Sequence, residues 1–205
     1  MEFEKIIENL QDEKYYAKLN YVPIIRDKSA EFLYDFVQKN NYKNVLEIGT
    51  AIGFSGSIII GAGAEKLTTI DINEDYLNIA INTFKKFDIL DRINILHGDA
   101  KDIIQDLLNQ NKKYDMIFLD GAKGQYINYL PILSKLIVSD GVIFADNVLL
   151  HGMVESNELI PHKKRTMVVN LRKYLDTISK PPYESELIHL EDGIAITKIK
   201  GEKDV

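Results

Sequence analysis

Five short apolar runs, separated by stretches of helical character, constrain the fold of this chain more than any other feature. They occupy residues 44–49, 67–71, 92–97, 114–120 and 141–146 and are rich in β-branched and aromatic side chains. Strands that alternate with helices indicate βαβ units and a parallel sheet that is buried on both faces. The sequence therefore predicts an α/β fold.

Both ends of the chain depart from this alternation. Residues 3–19 and 25–40 have the spacing of two amphipathic helices, so we expect residues 1–41 to form an appendage or cap. After a basic helix at 162–179, Pro181 and Pro182 stop helical structure. Segments 184–190 and 194–200 flank an Asp-Gly turn and predict an antiparallel hairpin. A doubly wound, mostly parallel seven-stranded sheet closed by this hairpin is expected.

The composition narrows the class of protein. A chain of 205 residues has room for one ordinary domain, and we expect a single domain over 1–205. The absence of cysteine excludes disulfides, thiolate zinc sites and cysteine nucleophiles. No signal-peptide pattern and no apolar run of membrane-spanning length occur, so we expect a cytoplasmic protein. The net charge of −6 does not exclude a local basic patch.

The turn after the first apolar run has the character of a ligand site. It contains Gly49 and Gly53 in a G-x-x-x-G spacing, unlike the G-x-G-x-x-G that binds a pyrophosphate. Glu47 would repel a diphosphate and attract an ammonium or sulfonium group, and Asp71 is placed to accept the two hydroxyls of a ribose. These residues predict S-adenosylmethionine (SAM) as ligand, although a plain tight turn also explains the glycines. The similar Gly61–Gly63 pair is predicted to end a helix instead.

The fourth and fifth runs end in acidic residues. Asp120, Asp146 and Asn147 offer two carboxylates and an amide oxygen, a set suited to Mg²⁺, Mn²⁺ or Ca²⁺. Aspartate also ends strands and forms turns in enzymes without metal, so this interpretation stays open on spacing alone. Lys123 is a candidate base in the same pocket, with an ordinary solvated lysine as the alternative.

These motifs resemble those of the cation-dependent, SAM-using O-methyltransferases related to catechol and caffeoyl-CoA methyltransferases. The resemblance lies in segments 46–55, 120–126 and 146–149 and extends from about residue 22 to the C-terminal hairpin. It implies a Rossmann-like class I methyltransferase fold, a metal held by Asp120, Asp146 and Asn147, and Lys123 as the catalytic base. The residues expected at the cofactor are Val22, Glu47, Gly49, Thr50, Gly53, Ser55, Asp71, Gly98, Asp99, Ala100 (beside adenine) and Asp120.

Within this group the chain most resembles the bacterial tRNA 5-hydroxyuridine methyltransferases, which form 5-methoxyuridine at the wobble position. Segments 22–23, 124–126, 162–165 and 191–198 carry this finer resemblance. It implies a tRNA anticodon arm as partner, and we also expect a homodimer. The small pair Gly121 and Ala122 would clamp a free catechol poorly. A small-molecule catechol-type enzyme and a non-enzymatic nucleotide- or RNA-binding module are the alternatives.

A basic segment indicates where RNA would bind. Residues 161–180 hold six basic residues and one acidic, a net +5, which leaves −11 for the rest of the chain. The candidate phosphate contacts are Lys163, Lys164, Arg165, Arg172 and Lys173. A solvated helix face or a contact with a second subunit would give the same composition. Tyr126 or Tyr129 is a candidate for stacking on a flipped base, with a tyrosine packed in the core as the alternative. His151 receives no role.

Overall fold

A computed structural model describes residues 1–200. The chain divides into two compact units, the first over Met1–Ile103 and the second beginning at Ile104, and each is described by itself. The single-domain expectation for 1–205 stays a prediction. Among residues 1–200, no helix has the length and apolar character that crossing a bilayer requires.

The first unit begins with three helices: α1 (Phe3–Asn9), α2 (Gln11–Asn20) and α3 (Asp27–Asn40). The expectation of one helix over 3–19 is therefore wrong, because the chain breaks at Leu10, whose ψ of 10° is outside the α-helical range. Side chains flank the break: the Asn9 amide donates to Lys5 O at 2.9 Å and the Gln11 amide to Ile7 O at 3.0 Å. Such bonds satisfy carbonyls where helical bonding ends.

Three parallel strands form the sheet of the first unit: β1 (Asn44–Ile48), β2 (Lys66–Asp71) and β3 (Ile93–His97). Helices α4 (Phe54–Gly61) and α5 (Glu74–Lys86) connect them, and α6 (Ala100–Asn109) follows β3. As predicted, Gly61 ends a helix, and Gly63 follows it with φ +119°. The register aligns Ile48 with Ile70 and Asp71 with His97, so the carboxyl ends of the three strands lie side by side.

The second unit contains four strands and two long helices. They are β4 (Tyr114–Leu119), α7 (Tyr126–Leu136), β5 (Ile137–Asp146), α8 (Arg165–Ile178), β6 (Tyr183–Ile188) and β7 (Ile194–Ile199). Strand β5 begins four residues before the predicted run at 141, because Ile137 already pairs with Tyr114 across a register shift in β4. A periodicity count does not detect such an irregularity.

The strand order in the sheet is β3-β2-β1-β4-β5-β7-β6. Strands β4 and β5 are parallel, whereas β7 is antiparallel to both β5 and β6. The predicted α/β class, the mostly parallel seven-stranded sheet and the C-terminal antiparallel hairpin are confirmed. In such sheets the carboxyl ends of the parallel strands are the usual ligand-binding edge. Gly49, Asp71, Gly98, Asp120 and Asp146 end or directly follow such strands.

Candidate active site

The turn between β1 and α4 is tightly folded. Gly49 N and Thr50 N both donate to Ile70 O, at 2.9 and 3.2 Å, and Gly53 N donates to Thr50 O at 2.9 Å. Gly53 has φ +81°, and a Cβ there would lie 2.9 Å from the Phe84 ring. Both the backbone angle and the close approach of α5 therefore require glycine at position 53.

Glu47 lies beneath this turn, fully buried. Its two carboxylate oxygens accept hydrogen bonds from Ser55 Oγ at 2.6 Å and from Thr69 Oγ1 at 2.5 Å. Thr69 Oγ1 is in turn 2.6 Å from Thr50 Oγ1. These hydrogen bonds between the buried carboxylate and the hydroxyls hold the residues of the turn in place. The ligand contacts expected of Glu47, Ser55 and Thr50 stay predictions.

Asp71 connects the two neighbouring strand-end turns. Its Oδ2 accepts from Ala51 N at 2.8 Å and its Oδ1 from Asn73 N at 2.9 Å. A carboxylate oxygen has two lone pairs, so each oxygen of this half-buried side chain can accept a further hydrogen bond. This geometry is suited to the ribose hydroxyls for which the sequence predicts Asp71.

Val22 forms an apolar wall beside the same turn. It is buried in a cluster with Ala17 and Ile52, and Tyr76 packs against that cluster. Because Ile52 belongs to the glycine turn itself, Val22 fixes the turn from the side of the N-terminal helices. Its predicted place near the cofactor agrees with this packing but is not tested by it.

The third strand end supplies the other predicted cofactor residues. Gly98 N donates to Asp71 O at 3.0 Å, which joins the β2 and β3 ends. Asp99 Oδ1 accepts from Lys101 N at 2.8 Å, and α6 begins at Ala100. The structure thus brings together, within the first unit, the turns that carry Gly49, Asp71 and Gly98.

In the second unit, Asp120 and Lys123 form an ion pair just after β4. Lys123 Nζ is 2.9 Å from Asp120 Oδ1, and the two side chains are 20% and 15% exposed. The one-turn 3₁₀ helix Lys123–Gln125 brings the lysine back towards the strand end. The ion pair holds Lys123 Nζ beside the carboxylate that the sequence predicts to bind the cation.

Asp146 ends β5 in a fully buried position. Its Oδ1 accepts from Asn147 N at 2.8 Å, whereas its Oδ2 has no hydrogen-bond partner. Burial, together with the negative charge of Asp120, raises the pKa of Asp146 from 3.8 to about 7. A buried carboxylate oxygen without a partner is costly unless a proton or a cation satisfies it.

The donors therefore fit a divalent cation. Asp120 and Asp146 repel each other electrostatically, and Asn147 follows directly with an amide oxygen. Over residues 1–200 there is no group of three or more His, Cys, Asp or Glu side chains arranged to hold a metal. Protein ligands for Mg²⁺ are typically only one or two carboxylates, with water and substrate completing the shell. Metal binding by Asp120, Asp146 and Asn147 stays a prediction.

The interpretation of Tyr126 or Tyr129 as a stacking residue for a base is wrong, and the alternative of a core tyrosine is confirmed. Both rings are buried, at 0% and 4% exposure. Tyr126 Oη donates towards Leu119 O at 3.0 Å and Asp146 O at 3.2 Å, so it ties the ends of β4 and β5 together. Sequence reasoning missed this role, although a tyrosine at the start of a helix after a strand end was a signal for it.

The predicted RNA-binding residues separate into two groups. Arg172 donates to Val154 O at 2.8 Å and Ser156 O at 2.6 Å, and Arg165 Nε donates to Ile160 O at 3.2 Å. These arginines hold the loop after β5, a role that charge counting did not predict.

The lysines of the same segment differ in their exposure to solvent. Lys163 and Lys173 are exposed and Lys164 is half-buried. They remain candidates for phosphate contact.

Comparison with known proteins decides the family. The O-methyltransferase family profile matches residues 1–200. The chain belongs to the O-methyltransferase family. Tapetum-specific methyltransferase 1 of Arabidopsis thaliana is 30% identical to this O-methyltransferase over 188 residues, covering 89% of this chain and 80% of the relative. Caffeoyl-CoA O-methyltransferase of Medicago sativa is 30% identical over 179 residues, covering 82% and 72%.

Solved structures agree with the fold of the O-methyltransferase. A Staphylococcus aureus protein assigned as a caffeoyl-CoA O-methyltransferase superposes with a TM-score of 0.83 at 30% identity, covering 97% of this chain and 98% of the other. The O-methyltransferase of Bacillus cereus in complex with SAH gives a TM-score of 0.81 at 24% identity, covering 98% and 92%. The expected Rossmann-like methyltransferase fold is confirmed, and several of the relatives of this O-methyltransferase are caffeoyl-CoA O-methyltransferases.

Proposed function

We propose that this O-methyltransferase requires a divalent cation and methylates 5-hydroxyuridine at the wobble position of tRNA. The buried Asp146 carries the proposal, because its Oδ2 has no partner and the Asp120–Lys123 pair follows the neighbouring strand. In such a site the cation polarises two adjacent oxygens of the acceptor and holds them in place. The acceptor must then offer two neighbouring oxygens.

The protein's own residues divide the chemistry between them. Asp120, Asp146 and Asn147 would hold the cation, and Lys123 Nζ would accept the proton of the acceptor hydroxyl. The methyl group passes from the SAM sulfonium to the hydroxyl oxygen, so SAM becomes SAH and the proton remains on Lys123. Asp120 Oδ1, 2.9 Å away, would balance the resulting ammonium charge.

The acceptor 5-hydroxyuridine fits this requirement, because its 5-hydroxyl lies beside its 4-carbonyl. Charge supports an RNA carrier: segment 161–180 is net +5, and Lys163 and Lys173 are exposed on it. Nucleic-acid affinity depends mainly on such phosphate contacts. A tRNA substrate also requires the cytoplasmic location that the sequence predicts.

A small-molecule acceptor with vicinal hydroxyls is the second candidate. The names of the curated relatives favour it, since those from Medicago sativa and Eucalyptus gunnii are caffeoyl-CoA O-methyltransferases. The same four residues would serve, because a catechol ring offers the same pair of adjacent oxygens. The two candidates differ only in what surrounds those oxygens.

One experiment separates the candidates. The protein is incubated with methyl-labelled SAM, Mg²⁺ and either undermethylated bacterial tRNA or a panel of catechols and caffeoyl-CoA. Label in tRNA that appears as 5-methoxyuridine, is abolished by EDTA and is lost in Lys123→Ala supports the proposal. Turnover of the small molecules with no label in tRNA would refute the tRNA acceptor, and turnover unaffected by EDTA would refute the cation. Light scattering of the same sample tests the expected homodimer.

A further inference from the structure

The turn that follows β5 has an unusual backbone. Asn147, Leu150 and His151 have φ values of 55°, 46° and 55°, and Gly152 continues with 75°. Left-handed backbone is unfavourable for a residue other than glycine, and asparagine tolerates it better than leucine or histidine. Such a conformation persists only where the surrounding structure fixes it.

The tip of the β6–β7 hairpin provides that support. Val148 N donates to Gly193 O at 3.0 Å and Leu149 N donates to Asp192 O at 2.8 Å. His151 N donates to the side-chain Oδ1 of Asp192 at 3.2 Å. Three of the four amides that follow Asn147 are therefore bonded to two consecutive residues of the hairpin.

The Asp192 side chain makes a second contact with the same residue. It is only 8% exposed, and its Oδ1 lies 3.1 Å from His151 Nδ1. One buried carboxylate oxygen therefore contacts both the backbone N–H and the imidazole ring of His151. This accounts for the histidine to which the sequence assigned no role.

Gly193 brings the hairpin into direct contact with the turn. Its φ is +81°, and a methyl group there would overlap the side chain of Leu149, which is itself buried. Any larger residue at position 193 must displace Leu149, two positions beyond Asn147. The Asp-Gly dipeptide, which the sequence indicates only as a hairpin turn, therefore has a second function.

We infer that Asp192 and Gly193 are positioning residues. They hold the 147–151 turn and so keep Asn147 next to Asp146, where the side-chain oxygen of Asn147 would bind the cation. The inference rests on the proposed function, because Asn147 matters in this way only if a cation binds there. Partners of metal ligands commonly contribute about 10–100-fold to metal affinity.

Manganese titration by calorimetry, in the presence of saturating SAM, tests the consequence. Gly193→Ala and Asp192→Ala should each weaken Mn²⁺ binding about tenfold or more, with SAM affinity unchanged within twofold. Asp192→Asn keeps an oxygen acceptor for His151 N and should restore most of the lost Mn²⁺ affinity. Gly63→Ala is the matched control, since Gly63 also has positive φ but no atom within 4 Å of an added Cβ.

Amide hydrogen exchange gives a readout that is independent of the cation. Asp192→Ala should accelerate exchange at His151 at least tenfold while leaving Val154, whose amide bonds Leu149 O within the loop, close to wild type. Wild-type protein that does not bind Mn²⁺ would refute the cation in the proposed function and with it this inference. If wild-type protein binds Mn²⁺, and the variants bind it equally well with equally slow amide exchange at His151, the inference is overturned while the proposed function stands.

Discussion

Lys123 Nζ and Asp120 Oδ1 are 2.9 Å apart, three residues from each other in the chain. The pair neutralises one of the two carboxylates proposed to hold the cation, so the lysine occupies part of the space that a cation would use. A cation at Asp120 would compete with Lys123 for the same carboxylate oxygen. The contact thus links the occupancy of the proposed cation site to the position of the proposed base.

We expect Lys123→Ala to lower kcat by about 10²–10⁴-fold, the usual contribution of a positioned general base. The dissociation constant for SAM should change less than twofold, because the SAM contacts expected in the first unit do not involve Lys123. Steady-state kinetics with Mg²⁺ and calorimetry with SAM measure the two quantities. Lys112→Ala, at an exposed position, is the control, and equal loss in both variants would contradict the assignment.

Asp146 should make the metal-free protein less stable as pH rises. Its pKa is about 7 in the folded protein, against an ordinary 3.8, so the folded state binds this proton more tightly than the unfolded state. The resulting stabilisation is complete below pH 3.8, declines as pH rises and is lost above about 7. At one pKa unit per 1.36 kcal/mol, the loss is roughly 4 kcal/mol at most.

Asp146→Asn isolates this effect from other titrating groups. In EDTA, the free energy of unfolding of the variant minus that of wild type should be small near pH 4 and increase to a plateau above pH 7. Urea denaturation at several pH values measures it. Asp140→Asn changes an exposed aspartate on the same strand and should give a flat difference. Mg²⁺ at pH 8 should stabilise wild type but not Asp146→Asn.

The strand ends could be predicted from the sequence because neighbouring residues alone define them. Asp71 and Asp146 were placed correctly because a short apolar run that ends in aspartate indicates both a strand and its boundary. What Tyr126, Arg172 and Asp192 do was not predictable in this way, since each bonds a backbone group far along the chain. No periodicity in a single sequence indicates which distant carbonyl or amide a side chain will contact.

Asp71 is expected to determine SAM affinity. Asp71→Ala removes two acceptors, for Ala51 N and Asn73 N, and the oxygens predicted to bind the ribose. The dissociation constant for SAM should increase about 10²–10⁴-fold, since the two charged hydrogen bonds expected to the ribose contribute about 1.5–3 kcal/mol each. Calorimetry measures this, with Asp75→Ala, an exposed aspartate in the first turn of α5, as control. An unchanged SAM affinity in Asp71→Ala would refute the ribose assignment.

The two kinds of basic residue in segment 161–180 should behave differently. Arg172→Ala removes the hydrogen bonds to Val154 O and Ser156 O, so it should loosen the loop and lower Tm by a few degrees. Its effect should extend to any acceptor, tRNA or catechol, because the loop follows Asp146 and Asn147 directly. Thermal unfolding and turnover of both acceptors measure this.

Lys163→Glu combined with Lys173→Glu should instead act on RNA alone. Both lysines are exposed, so Tm should stay within about one degree of wild type. If they bind phosphates, tRNA affinity should decrease, and the slope of log K against log salt should become shallower by about 2, one for each phosphate that the variant no longer neutralises. Lys39→Glu combined with Lys112→Glu applies the same change of net charge at exposed positions outside the segment. Equal decreases of tRNA affinity in the two double variants would show that only net charge matters. That result would rule out the basic segment as the RNA-binding surface.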